Sequence, residues 1–296
     1  MNYLITGGTG FIGAKLVEQL LQNGDSVTIL SRNKNKPNPK ARAICSLLEI
    51  SFDEKIDYII NLAGEPIAAK KWSQKQKEIL LNSRLKITQQ LVQLIAKLHN
   101  KPLALISASA IGFYGSNGDE KLNETSLYKT EFTHQLCSAW EAQALEAEGW
   151  GVRTCIIRLG IVLEKNGGAL AKMLPAFKLG LGGKIASGKQ FMSWVHREDV
   201  LRAISFLVNN HKLAGVFNVT APNPVSNFEF TKTLAKILRR PAFFDLPNFA
   251  VKIIFGEMGE ALLANGQRVM PENLLKAGFE FKFEKLEEAL SDVCKR

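Results

Sequence analysis

With 296 residues, 46% of them hydrophobic, the chain can bury one large α/β core or two modest ones, so disorder is not the default reading. No apolar run approaches the roughly 18 residues that span a bilayer, and Lys252 interrupts even Phe249 to Phe255, so no membrane partner is expected. The formal charge of +10 is spread along the chain rather than gathered in a tail, which argues against a nucleic-acid partner.

The chain opens on Asn2-Tyr3-Leu4-Ile5-Thr6, which lacks the basic and apolar regions of a leader and reads as a strand. Strands are expected at Tyr3 to Thr6, Ser26 to Leu30, Tyr58 to Leu62, Leu103 to Ser107, Val152 to Arg158 and Val216 to Val219. Between them, Ile12, Leu16, Leu20 and Leu21 fall at helical spacing, as do Ile79, Leu80, Ile87, Leu91, Leu94, Ile95 and Leu98. Asn33 to Lys40, with Pro37 and Pro39, reads as a loop. The alternation predicts a doubly wound, Rossmann-type parallel sheet in the α/β class. After Arg158 the rhythm changes: glycine-rich flanks enclose an apolar helical stretch from Ala169 to Leu179, a pattern expected to cover something. A further helix is read around Phe228 to Leu238, with short helices after it. The expected layout is a cofactor-binding core over residues 1–220, with 160–195 contributing to a smaller substrate lobe completed by 221–296.

Cys45, Cys137, Cys155 and Cys294 form no C-x-x-C pair, and His99, His134, His196 and His211 add no ligand spacing. No metal site is expected, and the thiols read as buried and reduced in a cytoplasmic protein.

The most informative motif is Gly7-Gly8-Thr9-Gly10-Phe11-Ile12-Gly13, set between the first strand and an amphipathic helix. Gly8, Gly10 and Gly13 satisfy G-x-G-x-x-G, whose glycines let the backbone approach a pyrophosphate at the free N–H groups of a helix start. The plain alternative is a tight turn that needs glycine. Where NAD sites place a carboxylate, at the end of the second strand, this chain has Ser31-Arg32. A hydroxyl and a guanidinium suit a 2′-phosphate, so the expected cofactor is NADP(H) rather than NAD(H). Lys34 and Lys36 add positive potential there or are simply solvated, within a run from Arg32 through Lys40 to Arg42 that holds no acid.

These residues resemble the extended short-chain dehydrogenase/reductase superfamily, which includes nucleotide-sugar epimerases and dehydratases. Gly7-x-x-Gly10-x-x-Gly13 is similar to its cofactor fingerprint, and Asn61-Leu62-Ala63-Gly64 to the motif that ends its fourth strand beside the cofactor. Ser107-Ala108-Ser109 followed by Tyr114-Gly115 looks like its active-site serine strand, and Trp194 to Val200 is similar to a further superfamily element. A closer resemblance, over nearly the whole chain, is to the "epimerase family protein" subgroup. Asn61 to Ile67, Trp72, Ser83-Arg84, Phe132 to Glu141, Leu174 to Gly183, Gly266 to Pro271 and Gly278-Phe279 carry it. The resemblance implies cofactor contacts from Thr9, Phe11, Ile12, Leu62, Ala63, Gly64 and Ser107, and a homodimer formed through the helices after the fourth and fifth strands. It makes Arg84 a phosphate or carboxylate clamp; the alternative is an arginine on a solvent-facing helix surface.

The superfamily's Tyr-x-x-x-Lys pair is missing. Counting back from Glu141 puts Cys137 in the lysine position and Thr133 in the tyrosine position, and the four tyrosines have Gly7, Leu62, Gly118 and Phe132 four residues on. Threonine does not titrate near neutral pH, so another acid is required for turnover. The candidates are Ser109, polarising a substrate oxygen, and Tyr114 or His134 as proton donors; their alternatives are a strand-end serine, a half-buried aromatic and a structural imidazole. His196 and Asp199 read as a structural histidine and a carboxylate that caps or charges a helix start. Two functions stay open: an NADP(H)-dependent oxidoreductase or isomerase acting on a small soluble substrate, with sugar nucleotides as a class suggested by kinship, and a catalytically silent NADPH sensor that signals to a partner.

Overall fold

A computed structural model describes residues 1–33 and 38–295. Its centre is a sheet of seven strands: β1 (Asn2–Thr6), β2 (Ser26–Leu30), β3 (Arg42–Ile44), β4 (Tyr58–Asn61), β5 (Ala104–Ala110), β6 (Arg153–Leu159) and β7 (Gly215–Val219). They lie in the order β3-β2-β1-β4-β5-β6-β7, and every pairing is parallel. The order reverses between β1 and β4, the switch point where a doubly wound sheet opens a crevice at its carboxyl edge.

The helices are α1 (Gly13–Gln22), α2 (Gln74–Lys97), α3 (Phe132–Leu145), α4 (Gly168–Lys178), α5 (Arg197–Asn209), α6 (Asn227–Leu238), α7 (Asn248–Gly259), α8 (Glu272–Lys276) and α9 (Leu286–Lys295). Alternation along the strands assigns each residue to a face. Tyr3, Ile5, Ile29, Ile60 and Ile106 pack with Leu16 and Leu20 of α1 and with Leu201 and Ile204 of α5. Leu4, Ile59, Leu105 and Ile156 point the other way, onto Leu91 and Ile95 of α2 and Ala144 of α3. Both faces are covered, which is why the strands read as almost continuous apolar runs. Each fully buried aliphatic side chain contributes about 1.5–3 kcal/mol relative to exposure.

A second core joins α4, α6 and α9 through Leu170, Leu174, Phe177, Phe230, Leu234 and Leu290, around Trp194. In α9 the buried residues Leu286, Ala289, Leu290 and Val293 follow the helical period, so one face docks and the other stays polar. No helix among the described residues is long and apolar enough to cross a membrane.

Three details differ from expectation. Strand β3 was not foreseen, because this three-residue edge strand buries only Ile44 and shows no alternation to read. The cap of α5 is His196, whose Nδ1 accepts the Glu198 N–H at 3.1 Å. Asp199 lies in that first turn, but its carboxylate instead accepts the N–H groups of Lys282 and Phe283 at 2.8 and 3.0 Å, fastening the returning C-terminal segment to α5. Cys137 and Cys155 are buried as expected, whereas Cys45 is exposed and Cys294 partly so.

Candidate functional site

The loop between β1 and α1 is shaped by close approach. Gly7 has φ of +70°, and a Cβ there would stand 2.6 Å from the Leu62 carbonyl oxygen; a Cβ on Gly13 would stand 2.2 Å from the oxygen of Gly7. The Gly10 N–H donates to Gly7 O at 2.9 Å, and Gly10 O accepts from Ala14, so the turn winds directly into the helix. Helix α1 has no side-chain cap and no acid in its first turn. Among the described residues the amides of Phe11 and Ile12 make no hydrogen bond. An uncapped helix start with free donors is the electrostatic form of an anion site.

Leu62, Ala63 and Gly64 form the neighbouring rim at the end of β4. Their approach is fixed from below by a buried polar web: Thr6 Oγ1 donates to Asn61 Oδ1 at 2.6 Å, while Asn61 Nδ2 donates to Thr88 Oγ1 at 2.8 Å and to Ser107 Oγ at 3.2 Å. Ser107 is fully buried in this web. Arg84 lies half-buried under the rim, donating to Leu80 O at 2.9 Å and Glu65 O at 3.0 Å, with its guanidinium carbon 5.1 Å from the Trp140 ring. Burial lowers its pKa. Its hydrogen bonds position the Leu62–Glu65 loop.

At the end of β2, the Ser31 hydroxyl donates to Asn33 O and accepts the Asn33 N–H, closing a local turn. Arg32 is exposed and makes no hydrogen bond or ion pair among the described residues. Lys34 and Lys36 lie outside the described residues. Arg42 is not part of this patch: it pairs with Glu54 at 2.6 Å and bonds to Glu49 O. A Cβ on Gly167 would meet the Phe11 ring at 2.1 Å, so the start of α4 packs on the phosphate loop, beside an Arg197–Glu164 ion pair of 2.7 Å. A surface cavity of about 570 Å³ lies behind α1, lined by Gln19, Leu201, Arg202 and Phe279 among others, and shares no residue with the loop.

The candidate acids sit further along the same carboxyl edge, in a closed network. Parallel register sets Ser109, Arg158 and Asn218 side by side on β5, β6 and β7. From α3, Glu141 receives both Nε and Nη2 of Arg158, at 2.9 and 2.7 Å, and the Ser109 hydroxyl at 2.5 Å. The Tyr114 hydroxyl donates to Asn218 Oδ1 at 2.7 Å and accepts from Arg158 Nη1 at 3.0 Å. Tyr114 is fully buried, with no hydroxyl in solvent, and burial raises its pKa. His134, also buried, has Nδ1 2.6 Å from the Phe113 carbonyl, which fixes the proton on that nitrogen, and stacks on Tyr128 at 3.7 Å.

Thr133 and Cys137 lie one turn apart on the buried face of α3. Burial pushes the Cys137 thiol up to about 11, so it does not replace a lysine. Thr133 Oγ1 is buried with no hydrogen-bond partner among the described residues, beside Gly112, where a Cβ would stand 3.1 Å from Thr133 Cβ. The glutamate–arginine pair escaped the sequence reading, although an arginine ending the apolar strand Thr154 to Leu159 was its visible signal.

Comparison with known proteins fits this geometry. Residues 3–220 match the NAD dependent epimerase/dehydratase family, and residues 246–293 match a domain of unknown function, DUF1731. The chain belongs to the NAD dependent epimerase/dehydratase family. Within it, the chain is 38% identical over 299 residues to the epimerase family protein YfhF of Bacillus subtilis, covering 99% of this chain and 98% of that one. It is 36% identical over 303 residues to the chloroplastic SDR39U1 homolog of Arabidopsis thaliana, covering 99% and 86%. The crystal structure of the human epimerase family protein SDR39U1 with NADPH superposes with a TM-score of 0.92 at 33% identity, over the full length of both chains. The chain carries a Rossmann-like parallel sheet within the first of these matches and an additional C-terminal region within the second.

One polar group at the network's edge gives a pH test. Glu124 Oε1 accepts the N–H groups of Asn218 and Asn273, while Oε2 is buried without a partner among the described residues. Burial raises its pKa against the opposing effect of those N–H groups. A raised folded pKa means that the folded chain holds its proton longer, so this contribution is present at low pH and is lost as pH rises through that pKa. Glu124→Gln keeps the Oε1 acceptor and removes the titration, so it is expected to flatten the fall in stability between acid and neutral pH. Urea unfolding at several pH values checks this, and a variant whose stability falls with pH as steeply as the parent's refutes it.

Proposed function

We propose that the protein binds NADP(H) at the β1–β4 switch point and uses it on a small soluble substrate held between the carboxyl edge of the sheet and the C-terminal lobe, in the cytoplasm. The observation that carries this is the pairing, among the described residues, of free amides at the start of α1 with an Arg32 that has no partner, and no carboxylate, at the end of β2. The amides of Phe11 and Ile12 suit the diphosphate; Arg32 and Ser31 suit the 2′-phosphate. The nicotinamide, when bound, supplies hydride transfer. The chain's part is to orient the substrate and exclude water, with the unpartnered Thr133 hydroxyl as a positioning contact. That the human relative was crystallised with NADPH supports the same choice.

The second reading, an NADPH sensor without turnover, is favoured by one specific observation: the Ser109 and Tyr114 hydroxyl protons and the His134 Nδ1 proton are all held by internal acceptors. Incubation with NADPH and a panel of small carbonyl compounds separates the two, since sustained NADPH oxidation would exclude the sensor. For the cofactor itself, Arg32→Ala is expected to weaken NADPH about 10- to 100-fold while changing NADH by less than about 3-fold, a loss of one charge-assisted contact. Fluorescence titration of both cofactors measures it, and equal losses for the two would refute the role of Arg32.

A further inference from the structure

Arg268 differs from the other half-buried or buried arginines of the protein. Arg84, Arg153, Arg158 and Arg197 each bond to a carbonyl or carboxylate acceptor. Arg268 is half-buried, its Nε is shielded from solvent without a hydrogen-bond partner, and no carboxylate pairs with it among the described residues. Its guanidinium carbon lies 4.5 Å from the centre of the Phe191 ring. A guanidinium stacked on an aromatic ring keeps its charge and the donors in its plane, and shielding its Nε from water without an acceptor is unfavourable. An oxyanion lying in the guanidinium plane would satisfy that donor.

The backbone around it is built to hold that position. Arg268 and Val269 pair in parallel with Lys121 and Leu122. The Val269 N–H donates to Ser193 Oγ at 2.8 Å, Val269 O accepts from Thr220 Oγ1, and Met270 O accepts from Asn218 Nδ2 at 3.0 Å. Asn218 is the residue that also accepts the Tyr114 hydroxyl. The segment bearing Arg268 is thus tied to the carboxyl edge of β7, next to the candidate network and away from the Arg32 patch, which belongs to β2.

We propose that Arg268 is the anchor for an oxyanion group, phosphoryl or carboxylate, of the molecule this cleft accepts. The proposal deepens the reading of the cleft as a substrate site beside NADP(H) and rests on it; it makes the substrate an anionic small molecule and places its charged end against Phe191 and Arg268. The planar fork of donors offers two parallel bonds to either kind of oxyanion.

The test uses the full-length protein, first saturated with NADPH so that the phosphate loop is filled. Inorganic phosphate, pyrophosphate and malonate are titrated separately through the millimolar range at constant ionic strength, and melting temperature is followed. A saturable rise with at least one of them is expected, weakened by about 10-fold or more in Arg268→Gln and by less in Arg268→Lys, which keeps the charge but not the fork. A response to the phosphates alone identifies a phosphoryl end, and a response to malonate alone a carboxylate end. Should the glutamine variant fail to fold, the lysine variant still decides, because unchanged anion affinity in it overturns the proposal. No saturable response in the parent protein to any of the three, or an equal response in Arg268→Gln, also overturns it. NADPH affinity is read by fluorescence in the same samples, so failure of the cofactor reading is distinguishable from failure of the anion site.

Discussion

Glu141→Ala is expected to lower the unfolding free energy by about 3–5 kcal/mol, the effect of leaving a buried charge without its partner. Arg158 and Glu141 are both almost wholly buried, and their bidentate pair closes at 2.7 and 2.9 Å. For Arg158, burial alone would lower the pKa, but the hydrogen bonds and charge of Glu141 outweigh it and the net shift is upward, so the guanidinium stays charged. Removing the carboxylate therefore leaves a cation against the Phe113 ring, 3.3 Å from its centre, with only Tyr114 as an acceptor. It also releases the Ser109 hydroxyl. A double replacement, Glu141→Leu with Arg158→Met, removes both charges and is expected to recover most of the loss, since apolar residues of similar volume often match a buried ion pair. Denaturant unfolding of the two variants measures this. A single variant within about 1 kcal/mol of the parent would show that the pair is not the fastening between α3 and β6 described here.

Gly13→Ala is expected to reduce NADPH affinity about 100-fold or more, with a smaller loss of stability of about 1–3 kcal/mol. The added carbon would lie 2.2 Å from Gly7 O and 2.9 Å from Gly8 Cα, both backbone atoms that cannot rotate away. The first turn of α1 must then lift from the loop, carrying with it the amides of Phe11 and Ile12 that face the diphosphate in the proposed complex. Since β1 and most of α1 remain packed on the sheet through Ile5, Leu16 and Leu20, the fold should survive. Calorimetric titration with NADPH alongside thermal melting separates the two effects. Near-native affinity in a folded variant would show that the loop does not hold the cofactor.

The parallel sheet was legible in the sequence because strands buried on both faces become apolar runs, and the first five expected strands all appear with ends shifted by at most a few residues. The glycine loop was legible for a related reason: backbone approach within 3 Å leaves only one residue type at Gly7 and Gly13. The network was not, since it depends on register. Nothing local in Ser109, Glu141, Arg158 and Asn218 says that they meet, and the meeting follows from three parallel strands aligned by long crossovers and a helix laid across them. Asp199 lies in the first turn of α5, as one of its two readings has it, but its carboxylate accepts amides of the returning Lys282–Phe283 segment rather than capping the helix, a partnership equally invisible in the sequence. For Arg84, half-burial and the bonds to Leu80 O and Glu65 O set aside the solvent-facing alternative, which the helical position alone does not.

A crystal structure of the protein with NADPH tests the central claim most directly. The diphosphate is expected against the amides of Phe11 and Ile12, with the 2′-phosphate within about 3 Å of the Arg32 guanidinium. A cofactor bound away from the β1–α1 loop, or one whose 2′-phosphate turns from the end of β2, would contradict it.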